Sequence, residues 1–199
     1  MNHTHTDYTY SNQMYLYYML ANSAAPVFVG IKPSCLVTIW KHRIADMNLN
    51  QFVQEQNARK KFDCQLKILL ETELYYLLFC YHKELLQETL CQSKGNILMS
   101  GYASTEKLED ALGILMDKLK RYHTEHQIFP HEVGIFLGYP LWDVEGFIQN
   151  HGQNYKLIGY WKVYDDVIGA IHKFQEYDRR KRQAVGIFQQ YTERNNHKK

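Results

Sequence analysis

The run FPHEVGIFLGYPLWDVEGFIQN, residues 129 to 150, sets an imidazole and a carboxylate side by side at His131 and Glu132, just ahead of a glycine-spaced apolar stretch. These two side-chain types are common choices for proton transfer near neutral pH. Gly138-Tyr139-Pro140 follows. A glycine turn of this kind lets a ligand approach the backbone, and a helix N-terminus after it points free N–H groups outward. Two further stretches carry groups suited to an anion. GIKPS, residues 30 to 34, offers Lys32 and Ser34 in a loop, and GYWKVY, residues 159 to 164, sets Lys162 between tyrosines. A lysine among aromatic rings suits an anionic group or a planar cofactor. The expected site therefore uses His131 and Glu132 for proton transfer or orientation, and Lys32, Ser34, Gly138, Tyr139, Lys162 and Tyr164 for ligand binding.

Each feature also has a plainer reading. Neighbours on a strand point to opposite faces, so adjacency alone does not make His131 and Glu132 a dyad. The Gly-Tyr-Pro turn lacks the glycine spacing of dinucleotide or P-loop sites, and Asp143 would repel an anion there. Gly134 and Gly138 ask for a close neighbour, and a packed helix is favoured over a ligand. His123 and His126 are spaced to share a helix face, but Phe129-Pro130 separates them from His131, so no metal site is expected. DRRKR, residues 178 to 182, is the one dense basic cluster. It lies inside a helical pattern, offset by Glu176 and Asp178, and no aromatic RNA-binding motif or zinc knuckle accompanies it.

The elements that must position these residues follow from periodicity and punctuation. Residues 13 to 22 read as a short helix stopped by Pro26. SCLVTIW, 34 to 40, is β-branched and aromatic and reads as a strand. Residues 46 to 60 show an imperfect helical spacing. Residues 65 to 81 read as a hairpin around Glu71-Thr72-Glu73, without an Asn-Gly turn. HKELLQETL and NILMSGY read as helices. The clearest helix starts at an N-cap Ser104 and carries Leu108, Ala111, Leu112, Leu115, Met116 and Leu119 on one stripe. EVGIFLG then reads as an interior strand apolar on both faces. A helix started by Pro140 carries Val144, Phe147 and Ile148, with Gly152 able to end it. A strand runs around Gly159, with Trp161 and Val163 on one face. A long C-terminal helix presents Val167, Ile171, Phe174 and Tyr177. The expectation is an α+β fold: a ferredoxin-like βαββαβ sandwich with a C-terminal αβα extension, or another α/β layered sandwich. Residues 1 to 12 are expected to be disordered and residues 13 to 199 to form a single domain.

Bulk properties set outer limits. A net charge of +2 over 199 residues does not by itself call for nucleic acid or a membrane. Four cysteines (Cys35, Cys64, Cys80 and Cys91) without close pairing read as reduced thiols of a cytoplasmic protein. MNHTHTDYTY has no basic flank or apolar core, so a signal peptide is not expected, and no apolar run approaches membrane-spanning length. The 16 tyrosines point to half-buried surfaces or a groove, or to compositional drift.

Taken together, GIKPSCL, FPHEVGIFLGYPLWDVEGFI, NYKLIGYWKVY and the closing helix with FQEY resemble a bacterial family, the domain of unknown function numbered 3793, found mainly in anaerobic Gram-positive bacteria. The resemblance runs from about Asn22 into the C-terminal helix. It implies no activity. It does imply a His-Cys pair just before Ala25-Pro26, where this chain has Ser23-Ala24, which argues against thiol chemistry here. The positions that keep the family pattern are Lys32, His131, Glu132, Lys162 and Tyr164.

The function expected is binding of a small anionic ligand or cofactor, with no particular cofactor identified. The alternative is a non-catalytic interaction module or homodimer. RNA binding through Arg179 to Arg182 ranks below both, and no membrane partner is expected.

Overall fold

The structure is a computed structural model that describes residues 12–45, 47–59 and 63–196. Apart from Asn12, the segment expected to be disordered lies outside the described residues. The elements are α1 (Asn12–Phe28), β1 (Ser34–Trp40), α2 (Leu49–Ala58), β2 (Cys64–Glu71), β3 (Tyr75–His82), α3 (Lys83–Gln92), α4 (Leu108–Glu125), α5 (Val133–Phe136), α6 (Leu141–Gln149), β4 (Leu157–Ile158), β5 (Lys162–Val163) and α7 (Val167–Asn196). The fold is mixed α/β with a small antiparallel sheet of order β1-β3-β2.

The central strand explains the layering. Leu78 and Cys80 of β3 point to one face, and Phe79 and Tyr81 to the other, because strand side chains alternate. The first face packs on Leu16, Leu20, Ala24 and Val27 of α1 and on Leu49 and Phe52 of α2. The second packs on Leu86 and Leu90 of α3, on the Leu112-Leu115-Leu119 stripe of α4, and on Ile135 and Phe136 of α5. A bulge between Ile68 and Leu70 of β2 turns Leu69 into this second layer. The β2–β3 hairpin forms as expected without Asn-Gly. The Thr72 hydroxyl accepts from the backbone N–H of Leu74 and Tyr75 at 3.2 and 2.9 Å and organises the turn instead. The four cysteines are free thiols.

Several expectations are corrected. EVGIFLG is not a strand. Val133 and Gly134 donate to the carbonyls of Pro130 and His131, and Leu137 donates to Val133, so the segment coils into α5. It ends in a Schellman motif: Gly138 at φ 73° donates to Ile135, and Tyr139 donates to Gly134. An apolar run buried on every side fits a core helix as well as an interior strand, so apolar residues on both faces do not by themselves select the strand. With that strand gone, the described residues hold three strands in this sheet. The ferredoxin-like βαββαβ order, which needs a fourth, is not met.

Helix α1 runs past Pro26 to Phe28, because a proline in the last turn removes only one donor. Its stop is a second Schellman motif at Gly30, φ 70°, where Gly30 donates to Val27 and Ile31 to Pro26. Helix α4 starts at Leu108 after Lys107, not at Ser104, and NILMSGY forms a 3₁₀ segment, Ile97–Tyr102. Pro140 is the N-cap of α6 and not its first residue. The strand around Gly159 is two short strands paired as a hairpin, Leu157 opposite Val163. On α7 the buried residues are Ala170, Phe174, Tyr177 and Phe188, while Ile171 is exposed.

Candidate functional site

Three of the expected residues meet at one cleft. It encloses about 350 Å³ and lies between the α4–α5 connection, α6 and the β4–β5 hairpin. His131 enters from the connection, Tyr139 from the turn after α5, and Lys162 from β5. Phe147 of α6 lies near two of them: its ring centroid is 5.5 Å from that of His131 and 5.6 Å from the Lys162 ammonium. Phe129 lies 5.5 Å from His131 on the other side. Tyr139 stacks on Trp161 at 5.1 Å and 29°, and Trp161 meets Phe174 of α7 edge-on at 4.6 Å. This aromatic wall leaves the Tyr139 hydroxyl pushed up to about 12 by burial.

The polar groups are few and directed. Lys162 donates to the Gly152 carbonyl at 2.6 Å and also lies 4.8 Å from the Tyr155 ring. The His131 imidazole makes no hydrogen bond to any described residue, and the residue is half-buried. Asp143 is 3% exposed and fully occupied: it accepts from Trp161 Nε1 at 2.7 Å and from the backbone N–H of Tyr164 and Asp165 at 2.7 and 3.2 Å. Its carboxylate therefore clamps α6 to the hairpin.

The other expected residues lie outside this cleft. Glu132 turns into the core, where it pairs with Lys118 Nζ at 2.5 Å and accepts from the Tyr102 hydroxyl at 3.1 Å. That carboxylate pushes the Tyr102 hydroxyl further up than burial alone does. His131 and Glu132 are therefore not a dyad. Lys32 is buried at 4% exposure, donates to the Ser34 carbonyl at 2.6 Å and sits 5.5 Å under the Tyr139 ring. Burial lowers its ammonium from 10.5 to about 8. Ser34 donates to the Phe136 carbonyl at 2.6 Å, tying β1 to α5. Tyr164 packs its ring over Gly146 of α6.

The two glycines have protein neighbours. A Cβ on Gly134 would come within 2.9 Å of Val144 in α6, and one on Gly138 within 2.4 Å of the Pro33 ring. Among the described residues no group of histidines, cysteines and carboxylates could hold a metal ion, and no helix is long and apolar enough to cross a membrane. The basic cluster is partly neutralised: Arg179 and Arg180 both bond Glu176, which they hold down to about 2, and Tyr160 donates to Asp178. Asp143, Phe147 and Trp161 were missed as site residues. Asp143 reads from the sequence as a group that would repel an anion, and no local pattern links it to an indole so far along the chain.

The architecture defines a mixed α/β protein with helices on both faces of a small antiparallel sheet and an aromatic cleft beside it. The chain belongs to the family described as Protein of unknown function (DUF3793), whose model matches residues 20–196. No curated protein and no solved structure matches the chain.

Proposed function

We propose that the protein binds a small anionic ligand or cofactor, flat enough to lie along Tyr139 and Trp161, in the cleft at His131 and Lys162. The observation that carries this reading is the Phe147 ring, whose centroid lies 5.5 Å from that of His131 and 5.6 Å from the Lys162 ammonium, so that both groups reach one cleft. A pocket of ~300–1,000 Å³ with apolar walls and a few converging polar groups is the usual form of a small-molecule site. Lys162 supplies positive charge beside the Phe147 and Tyr155 rings. His131, without a protein partner, supplies a donor or a proton. Lys32 acts from behind, as the cation beneath the Tyr139 ring, and touches no ligand. Residues 13 to 199 act as one domain in this reading, since Tyr139 packs against both the main core and the hairpin cluster.

Native mass spectrometry of the purified protein, followed by a titration with benzoate and naphthoate read by tryptophan fluorescence, tests the reading. Saturable quenching that His131→Ala and Lys162→Met each weaken about tenfold is expected. No co-purified small molecule together with no saturable response would overturn it.

A further inference from the structure

A second concavity shares no lining residue with the aromatic cleft. It is a trough of about 700 Å³ between α1, α7 and the outer edge formed by α2 and β2. Tyr17 and Ala25 of α1, Leu66 of β2 and Ala184, Ile187 and Tyr191 of α7 give it an apolar lining. Ile187 is 69% exposed and Tyr191 60%, so its lip offers uncovered apolar surface to water.

The polar groups are not scattered evenly. Among the described residues that line the trough, the charged ones are Arg59 and Arg180, and none is acidic. Arg180 uses its Nε on Glu176 at 2.8 Å, and its terminal nitrogens make no hydrogen bond among the described residues. The Gln56 side-chain amide nitrogen is buried there with no acceptor. A long apolar trough with unspent cationic donors and an unsatisfied amide donor matches a molecule with a hydrocarbon tail and an anionic, acceptor-rich head.

We propose that this trough binds a long-chain carboxylate, its hydrocarbon chain along α1 and α7 and its carboxylate toward Arg59, Arg180 and Gln56. The proposal is independent of the cleft at His131. Both faces of the chain's environment are then explained by one ligand: the tail covers the Ile187 lip, and the head accepts from the donors the protein leaves unmet. An amphipathic helix or a second copy of this chain would cover the apolar lip but would leave the two arginines and Gln56 without an acceptor unless an acidic side chain came with it.

Calorimetric titration with dodecanoate, below the concentration at which it aggregates, tests the proposal on the full chain. Saturable binding is expected. Arg59→Gln combined with Arg180→Gln should weaken it about tenfold while changing dodecanol binding by less than about threefold. Ile187→Glu alters an exposed residue, so the fold should be retained, and it should weaken both ligands about tenfold. His131→Ala should leave dodecanoate binding unchanged, which separates this site from the cleft. The proposal is overturned if dodecanoate does not saturate, if Ile187→Glu has no effect on its binding, or if sedimentation shows a dimer that Ile187→Glu dissolves while dodecanoate fails to bind.

Discussion

The Trp161 indole donates its Nε1 hydrogen to Asp143 Oδ2 at 2.7 Å, with both residues almost wholly buried, at 7% and 3% exposure. This bond holds the wall of the aromatic cleft against the N-terminal turn of α6. The other Asp143 oxygen holds the chain where the hairpin leaves β5, through the Tyr164 and Asp165 N–H groups. One carboxylate thus fixes the position of Trp161, and through stacking that of Tyr139.

Asp143→Ala should strand three donors in a dry place. A loss of about 2 kcal/mol is expected, a fall in Tm of roughly 4–8 °C for a chain of this size. Trp40 and Trp142 are both substantially exposed, so blue-shifted tryptophan emission should come from Trp161. That emission should move to the red in the variant. Unchanged emission and Tm would mean that the clamp is not formed in solution.

Glu132→Gln separates a structural carboxylate from a chemical one. The Lys118 partner is 36% exposed and can turn to water once the charge is removed. The expected loss is therefore about 1–2 kcal/mol, less than for a fully buried pair. Benzoate binding at the cleft should stay within a factor of about two, because Glu132 does not line it. A loss of binding without a loss of stability would return Glu132 to the site.

Lys32 should make stability rise with pH over an unusual window. Its folded-state ammonium releases its proton at about 8, against 10.5 for the free side chain. Below about 8 both states are protonated and the folded protein bears the full cost of burying the charge. Between about 8 and 10.5 the unfolded state holds more protons, so raising the pH relieves that cost, on the order of 3 kcal/mol at most. Tyr81, Tyr139 and Tyr177, all pushed to about 12 by burial, act oppositely above pH 10. The measurement is therefore the difference in urea-unfolding free energy between the wild type and Lys32→Met. The wild type should gain on the variant from pH 7.5 to 9.5, and a flat difference would refute the buried charge.

Asn57 seals the edge of the sheet. Its side-chain amide donates to the Leu66 carbonyl at 2.9 Å, and its oxygen accepts from the Leu66 N–H at 2.8 Å, as a neighbouring strand would. Asn57→Ala should cost about 2 kcal/mol and speed amide exchange at Leu66 more than at Leu78 in the central strand. Equal protection at Leu66 in both proteins would show the edge to be covered otherwise.

Much of the architecture is legible in the sequence. SCLVTIW is a strand with the expected bounds, and the hairpin, the α4 stripe and the long closing helix also appear. These segments carry their own signals: β-branched runs, 3.6-residue stripes and helix-stopping glycines. The alternation that puts Trp161 and Val163 on one face agrees with their burial, at 7% and 0% exposure, because a strand's period of two is local.

The sequence by itself determined where the chain is helical or extended wherever one face differs from the other, and it singled out His131, Tyr139 and Lys162 by type and setting. Only the tertiary structure decided that EVGIFLG coils, because a segment buried on all sides has no polar face to set its period. Only the tertiary structure sent Glu132 to Lys118 and Lys32 beneath Tyr139, while bringing His131 and Lys162 to the same Phe147 ring. Those pairings are long-range, and the partner of a side chain across the core is set by how layers pack, which no local spacing encodes.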